Sequence, residues 1–218
     1  MLRSTLTVAA CSIIIIAAAQ DPAAKKADAP AAVSLFDGKT LTGWKSTAYG
    51  GEGEVKVDDG ALILNFGEPL TGVTFQEPKK LLRTNYELTL DAKRMDGSDF
   101  FCCLTFPVRE KEHCSLVVGG WGGGLVGISC IDGFDASEND TTSYHEFKDN
   151  QWYKIKVQVT DAKLQCWIDK EKVVDCDISK RKLRTRSEVE LAEPLGICSF
   201  RTKAAIKNIE LKPLPPAK

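Results

Sequence analysis

Short stretches of strictly alternating apolar and polar residues constrain the fold of this chain more than any other feature. Tyr86-Glu87-Leu88-Thr89-Leu90-Asp91-Ala92 alternates throughout, and so does Trp152 to Val159, with Tyr153, Ile155, Val157 and Val159 on one side. A period of two sends every second side chain to the same face of an extended strand, so each stretch offers one face to a core. Tight turns separate such stretches. Asp58-Asp59-Gly60 lies between Val55-Lys56-Val57 and Leu62-Ile63-Leu64, and an Asp-Gly pair between short apolar segments predicts a hairpin. Asp169-Lys170-Glu171 similarly divides Cys166-Trp167-Ile168 from Lys172-Val173-Val174. Leu195-Gly196-Ile197 and Ala205 to Leu211 close the chain in the same style, and no long helical period occurs. The pattern predicts an all-β sandwich of two antiparallel sheets with little helix.

The ends have a different composition. After Met1-Leu2-Arg3-Ser4, the chain is apolar from Leu6 to Ala19 and finishes in Ala17-Ala18-Ala19. That run is shorter than the ~20 residues that span a bilayer, and small residues at its end suit signal peptidase. Residues 1–19 are therefore expected to be a cleaved signal peptide, with the mature protein secreted or periplasmic and no other membrane segment. Val8-Ala9-Ala10-Cys11 gives lipidation as an alternative, and an uncleaved anchor is another. Residues 20–32, rich in Ala, Pro, Lys and Asp, read as a disordered linker. Residues 33–214 form the sandwich domain and 215–218 a tail. A net charge of −1 gives no electrostatic reason to expect nucleic acid. The basic run Lys180 to Arg186 is bracketed by Asp175, Asp177, Glu188 and Glu190 and reads as a solvated loop.

Candidate chemistry gathers between Asp99 and His145. Two strand-length runs flank a turn containing Pro107, and then Trp121 stands alone among Gly119, Gly120, Gly122, Gly123 and Gly124. Glycines permit close backbone approach, and an exposed indole can stack on the apolar face of a sugar ring. Trp121, Gly120, Gly122, Asp99 and Asn139 are the candidate substrate-binding residues. Asp132, Asp135, Glu138 and His145 are the candidate catalytic groups. Asp132 and Asp135 are also hard oxygen ligands able to hold Ca²⁺ or another divalent metal, although the spacing is not that of an EF-hand. The competing reading is a glycine-rich turn with a packed tryptophan, followed by a solvated acidic loop.

Eight cysteines include Cys11 in the expected signal, leaving an odd number in the mature chain. A turn centred near Val108 would set Cys102 opposite Cys114, close enough for a disulfide. Buried free thiols acting as small apolar groups are the alternative.

The stretch Ser34-Leu35-Phe36-Asp37-Gly38-Lys39-Thr40-Leu41-Thr42-Gly43-Trp44 resembles the opening of the 3-keto-disaccharide hydrolase-like domain. Tyr86 to Leu90, Trp152 to Ile155, Cys166 to Asp169 and Ile206 to Leu211 resemble its later landmarks, so the likeness runs from about Ser34 to Leu214. The resemblance implies a concanavalin A-like jelly roll of two curved sheets and cleavage of glycosides whose C3 hydroxyl has become a ketone. That chemistry needs a base, groups that stabilise an enolate and often a metal. The strand His113 to Val118 lacks the carboxylate that the resemblance implies there, and Gly97 to Cys102 with the tryptophan–glycine loop resembles a divergent, planctomycete-type branch. A non-catalytic carbohydrate-binding module and an envelope interaction protein are the other functions consistent with such a sandwich.

Overall fold

The computed structural model describes residues 31–215. The expected signal peptide, nearly all of the expected linker and the tail beyond residue 215 lie outside the described residues. Fifteen strands occur in chain order. They are Val33–Ser34 (β1), Trp44–Ser46 (β2), Val55–Asp58 (β3), Ala61–Leu64 (β4), Leu70–Phe75 (β5), Tyr86–Gly97 (β6), Cys102–Val108 (β7) and Glu112–Gly119 (β8). Then follow Leu125–Ser129 (β9), Ser143–Tyr144 (β10), Tyr153–Val159 (β11), Lys163–Ile168 (β12), Glu171–Asp177 (β13), Gly196–Phe200 (β14) and Thr202–Pro213 (β15). Two short 3₁₀ segments, Pro78–Lys80 and Ser187–Ala192, interrupt the loops.

The strands make two antiparallel sheets, one in the order β13-β12-β11-β6-β15-β4-β3 with β1 on β15, the other β10-β9-β8-β7-β14-β5-β2. This is the expected jelly-roll sandwich. The alternation read from the sequence sets its layers. On β6 the residues Tyr86, Leu88, Leu90 and Ala92 are buried, and on β11 Tyr153, Ile155, Val157 and Val159 are. They meet Leu104, Phe106, Leu116, Val118 and Ile128 of the second sheet in one core. The Asp-Gly hairpin also forms, pairing Asp58 with Ala61, and Asp59 and Gly60 take the positive φ values of 46° and 75° that such a two-residue turn requires.

The hairpin of β7 and β8 differs from expectation, and the difference removes the expected disulfide. Pro107 lies inside β7, and Arg109, Glu110 and Lys111 make the turn. β14 pairs with β7 only as far as Thr105, so the proline ring, which has no N–H, sits past the end of that ladder. With the turn displaced, Cys102 faces Val118 and Cys114 faces Phe106. Four residues of strand, about 13 Å, separate the two positions, too far for a bridge, and both thiols are free in the core.

Candidate functional site

Alternation that sends one row of the second sheet into the core sends the other row outward. Cys103, Val117, Leu125, Cys198 and Leu70 form that outer row, and Val189 of the second 3₁₀ segment and Ala136 of the acidic loop pack onto it. The cover is incomplete. A cleft of about 370 Å³ remains, its floor built from Cys103, Ser115, Val117 and Ser129, its walls from Asp99, Phe100, Trp121, Arg186, Glu188 and Phe200. Phe100 and Phe200 lie against each other at 5.5 Å between ring centres.

Trp121 enters the cleft because of its loop. Gly119, Trp121, Gly122 and Gly123 all have positive φ, and Trp121 at φ 48°, ψ 56° is left-handed. A bulky side chain rarely adopts that conformation. Arg94 fixes the loop from inside, donating to the Gly123 carbonyl at 3.3 Å while also binding the Phe147 carbonyl and Asp149. A Cβ on Gly123 would stand 2.8 Å from that guanidinium, and one on Gly119 would meet the Phe101 ring at 3.0 Å. The expectation that these glycines clear space for a ligand is thus corrected at both positions: there they make room for the protein's own Arg94 and Phe101. Gly122 alone among the loop glycines faces open space; a Cβ on Gly120 would stand 2.9 Å from the Val117 side chain, so there too the glycine makes room for the protein itself, with Asp99 Oδ1 4.0 Å away. The indole is 46% exposed, so it is not a core residue.

Asp99 sits in the bend before β7 rather than at its first position. Its Oδ1 accepts from the Phe100 N–H at 2.7 Å, and among the described residues it makes no salt bridge. Arg186 crosses the cleft wall and is held on both sides, by Asp135 at 2.8 Å and by Glu188 at 2.8 Å. The arginine holds the Glu188 carboxyl below its usual range, and the carboxylate raises the arginine in turn.

The structure brings Trp121, Gly120 and Asp99 together and leaves the other expected site residues outside. Asp135 reaches the cleft only through Arg186, its second oxygen accepting from Ser137. Asp132 binds Arg181 at 2.5 Å and the Lys182 N–H at 2.8 Å, and these hydrogen bonds, the backbone one first, lower its pKa. Asp140 binds the same arginine with both oxygens. Asn139 spends its amide inside the loop, donating to the carbonyls of Ile128, Phe134 and Asp135 and accepting from Thr141. It organises the loop and is not a cleft amide. Glu138 is exposed on the loop surface. His145 packs against Phe147 with ring centres 4.7 Å apart, lies 3.4 Å from Glu171 and does not line the cleft. A divalent metal does not fit either. Asp132 and Asp135 are committed to different arginines, and among the described residues no three His, Cys, Asp or Glu side chains are grouped as ligands.

Arg186, Glu188, Ser115, Ser129 and Phe200 were not singled out as site residues in the sequence. No local signal marks them; Arg186 ends a basic run indistinguishable from a solvated one until the fold folds it over the outer row.

The chain matches the 3-keto-alpha-glucoside-1,2-lyase-like domain over residues 31–212, and it belongs to that family. Solved structures share the fold at low identity. A Crh5 transglycosylase in complex with NAG is 13% identical, with a TM-score of 0.57 over 88% of this chain and 86% of that one. Domain 4 of AbnA, a GH43 extracellular arabinanase from Geobacillus stearothermophilus in complex with arabinotriose, is 14% identical, TM-score 0.53, over 87% and 94%. A Bacillus subtilis protein of unknown function with a galectin-like fold is 9% identical, TM-score 0.55, over 81% and 92%. No curated protein matches the chain.

Proposed function

We propose that the cleft binds a sugar ring and that the protein cleaves glycosides oxidised at C3, by elimination followed by hydration. The observation that carries this reading is an exposed tryptophan, held in a strained backbone conformation, over a cleft that contains one carboxylate free of any cationic partner among the described residues and one buttressed arginine. Membership of the lyase-like family supports this choice of reaction. A ketone at C3 acidifies the C2 proton. Asp99 removes it, and the electron pair becomes an enolate whose oxygen lies against Arg186. As the enolate collapses to the C1–C2 double bond, the C1–O bond breaks. The departing oxygen takes back the proton from Asp99, directly or through water, so that the other sugar leaves as an alcohol and the carboxylate is restored. Water then adds across the C1–C2 double bond. Trp121 stacks on the ring and positions it. Asp99 suits the base better than Glu188 does, because Arg186 already stabilises the Glu188 anion.

The test is product release from 3-keto-trehalose and related 3-keto-disaccharides. The parent protein is expected to turn them over, and Asp99→Asn is expected to lose about 100-fold or more while still binding. A non-catalytic binding module is the second reading, favoured by the fact that Arg186 and Glu188 already satisfy each other. Binding without turnover in the parent protein would establish it. We further propose that residues 1–19 direct export and are removed. N-terminal sequencing of secreted protein should then begin near Gln20, and recovery of intact Leu6 to Ala19 in membranes would show an anchor instead.

A further inference from the structure

We propose that Cys103 and Cys198 form a cross-strand disulfide in the floor of the cleft. The inference is independent of what the cleft binds. Among the described strands this is the one pair of cysteines in register: β7 and β14 set Cys103 opposite Cys198. Cys102, Cys114, Cys166 and Cys176 face Val118, Phe106, Val174 and Leu164 instead. Both members point to the same side, since both lie in the outer-row cluster. Opposed residues of an antiparallel pair have Cα atoms about 4.5–5.5 Å apart, within the span a disulfide tolerates. In the structure both are free thiols, so the bond is one that oxidation would add. The two thiols adjoin, and that contact, with burial, raises Cys198. Beside Cys198 lies the Tyr49 hydroxyl, buried without a hydrogen-bond partner. Cys103 borders the cleft and Cys198 is fully buried behind it. The chemistry is therefore ordered. The Cys103 thiolate attacks a small disulfide such as oxidised glutathione and expels one thiolate. The Cys198 thiolate then attacks the Cys103 sulfur of the mixed disulfide and expels the second. The cysteine pair loses two electrons and two protons, and the glutathione disulfide gains them as two thiols.

The reduced, unfolded chain is refolded in a mixture of oxidised and reduced glutathione, free thiols are blocked with iodoacetamide, and the protein is digested with trypsin without reduction. We expect a linked pair of peptides, Met95 to Arg109 with Ser187 to Arg201. Because the first carries both Cys102 and Cys103, the link must persist in Cys102→Ala and vanish in Cys103→Ser and Cys198→Ser. The parent protein should also lose thermal stability on reduction, and Cys103→Ser should be indifferent to reductant. Folded protein in which iodoacetamide labels both Cys103 and Cys198, or in which either is joined to a different cysteine, overturns the proposal.

Discussion

A tryptophan used only for packing would have no reason to sit where Trp121 does. It is 46% exposed and its φ of 48° costs roughly 1–3 kcal/mol for a non-glycine residue. Glycine would relax that strain and remove the indole together. Trp121→Gly is therefore expected to keep or raise the melting temperature while weakening sugar binding by roughly 1–3 kcal/mol, the loss of one aromatic contact. Calorimetric titration and thermal unfolding of the same variant separate the two effects. A lowered melting temperature with unchanged affinity would make the indole structural. The acidic loop shows the limit of residue identity as a guide. Asp135 and Asn139 have the side chains a sugar site uses, yet nearby arginine, serine and carbonyl groups consume their hydrogen-bonding capacity.

At the scale of elements, β6 links the core to the cleft. Its buried row runs Tyr86, Leu88, Leu90, Ala92 and then Arg94, a charge where the period calls for an apolar group. The guanidinium is tolerated at the end of the sandwich because two carbonyls and Asp149 satisfy it. Arg94→Met should cost about 2 kcal/mol: two carbonyls lose a donor, whereas Asp149, about half exposed, is rehydrated. The loop carrying Trp121 should loosen as well, giving a red-shifted, more readily quenched tryptophan emission. Unaltered emission and stability would show that the loop holds itself. The β7–β8 hairpin makes a related point about register. Strand lengths on either side of Pro107 were legible, but the position of the turn was not. A one-residue change in turn centre moves the pairing by two residues, and here a centre at Glu110 instead of Val108 moves it by four and separates Cys102 from Cys114.

Across the whole molecule, His113 joins three parts of the chain. Its Nε2 lies 2.9 Å from Arg83, ahead of β6, and its Nδ1 lies 3.1 Å from Glu193, which also accepts from Thr185 at 2.6 Å. Burial first, and Arg83 after it, lower its pKa from 6.5, against the opposing pull of Glu193. In the folded state the ring thus binds a proton less readily than in the unfolded chain. The unfolded state takes up more protons below pH 6.5, so this contribution to stability is complete above that pH and is lost as pH falls through the folded-state value. Melting temperatures measured between pH 7.5 and pH 5 should fall with acidity, and His113→Gln should flatten that part of the curve. An identical slope in the variant would assign the effect to other groups.

What the sequence determined by itself was the sandwich, because alternation, Asp-Gly turns and the absence of a helical period are local properties that dictate which face of each strand is buried. The opening Ser34 to Trp44 stretch carried the family likeness in the same local way. The tryptophan–glycine loop was legible as unusual for the same reason: six consecutive residues displayed it. The tertiary structure alone decided the cleft. Its floor comes from alternate residues of three strands, its arginine from a segment more than sixty positions after Trp121, and Asp132 and Asp135 are drawn away by arginines 49 and 51 positions further along the chain. Whether a carboxylate is free or paired depends on which cation the fold brings beside it, and Asp99 and Asp135 differ in that respect and not in chemical type.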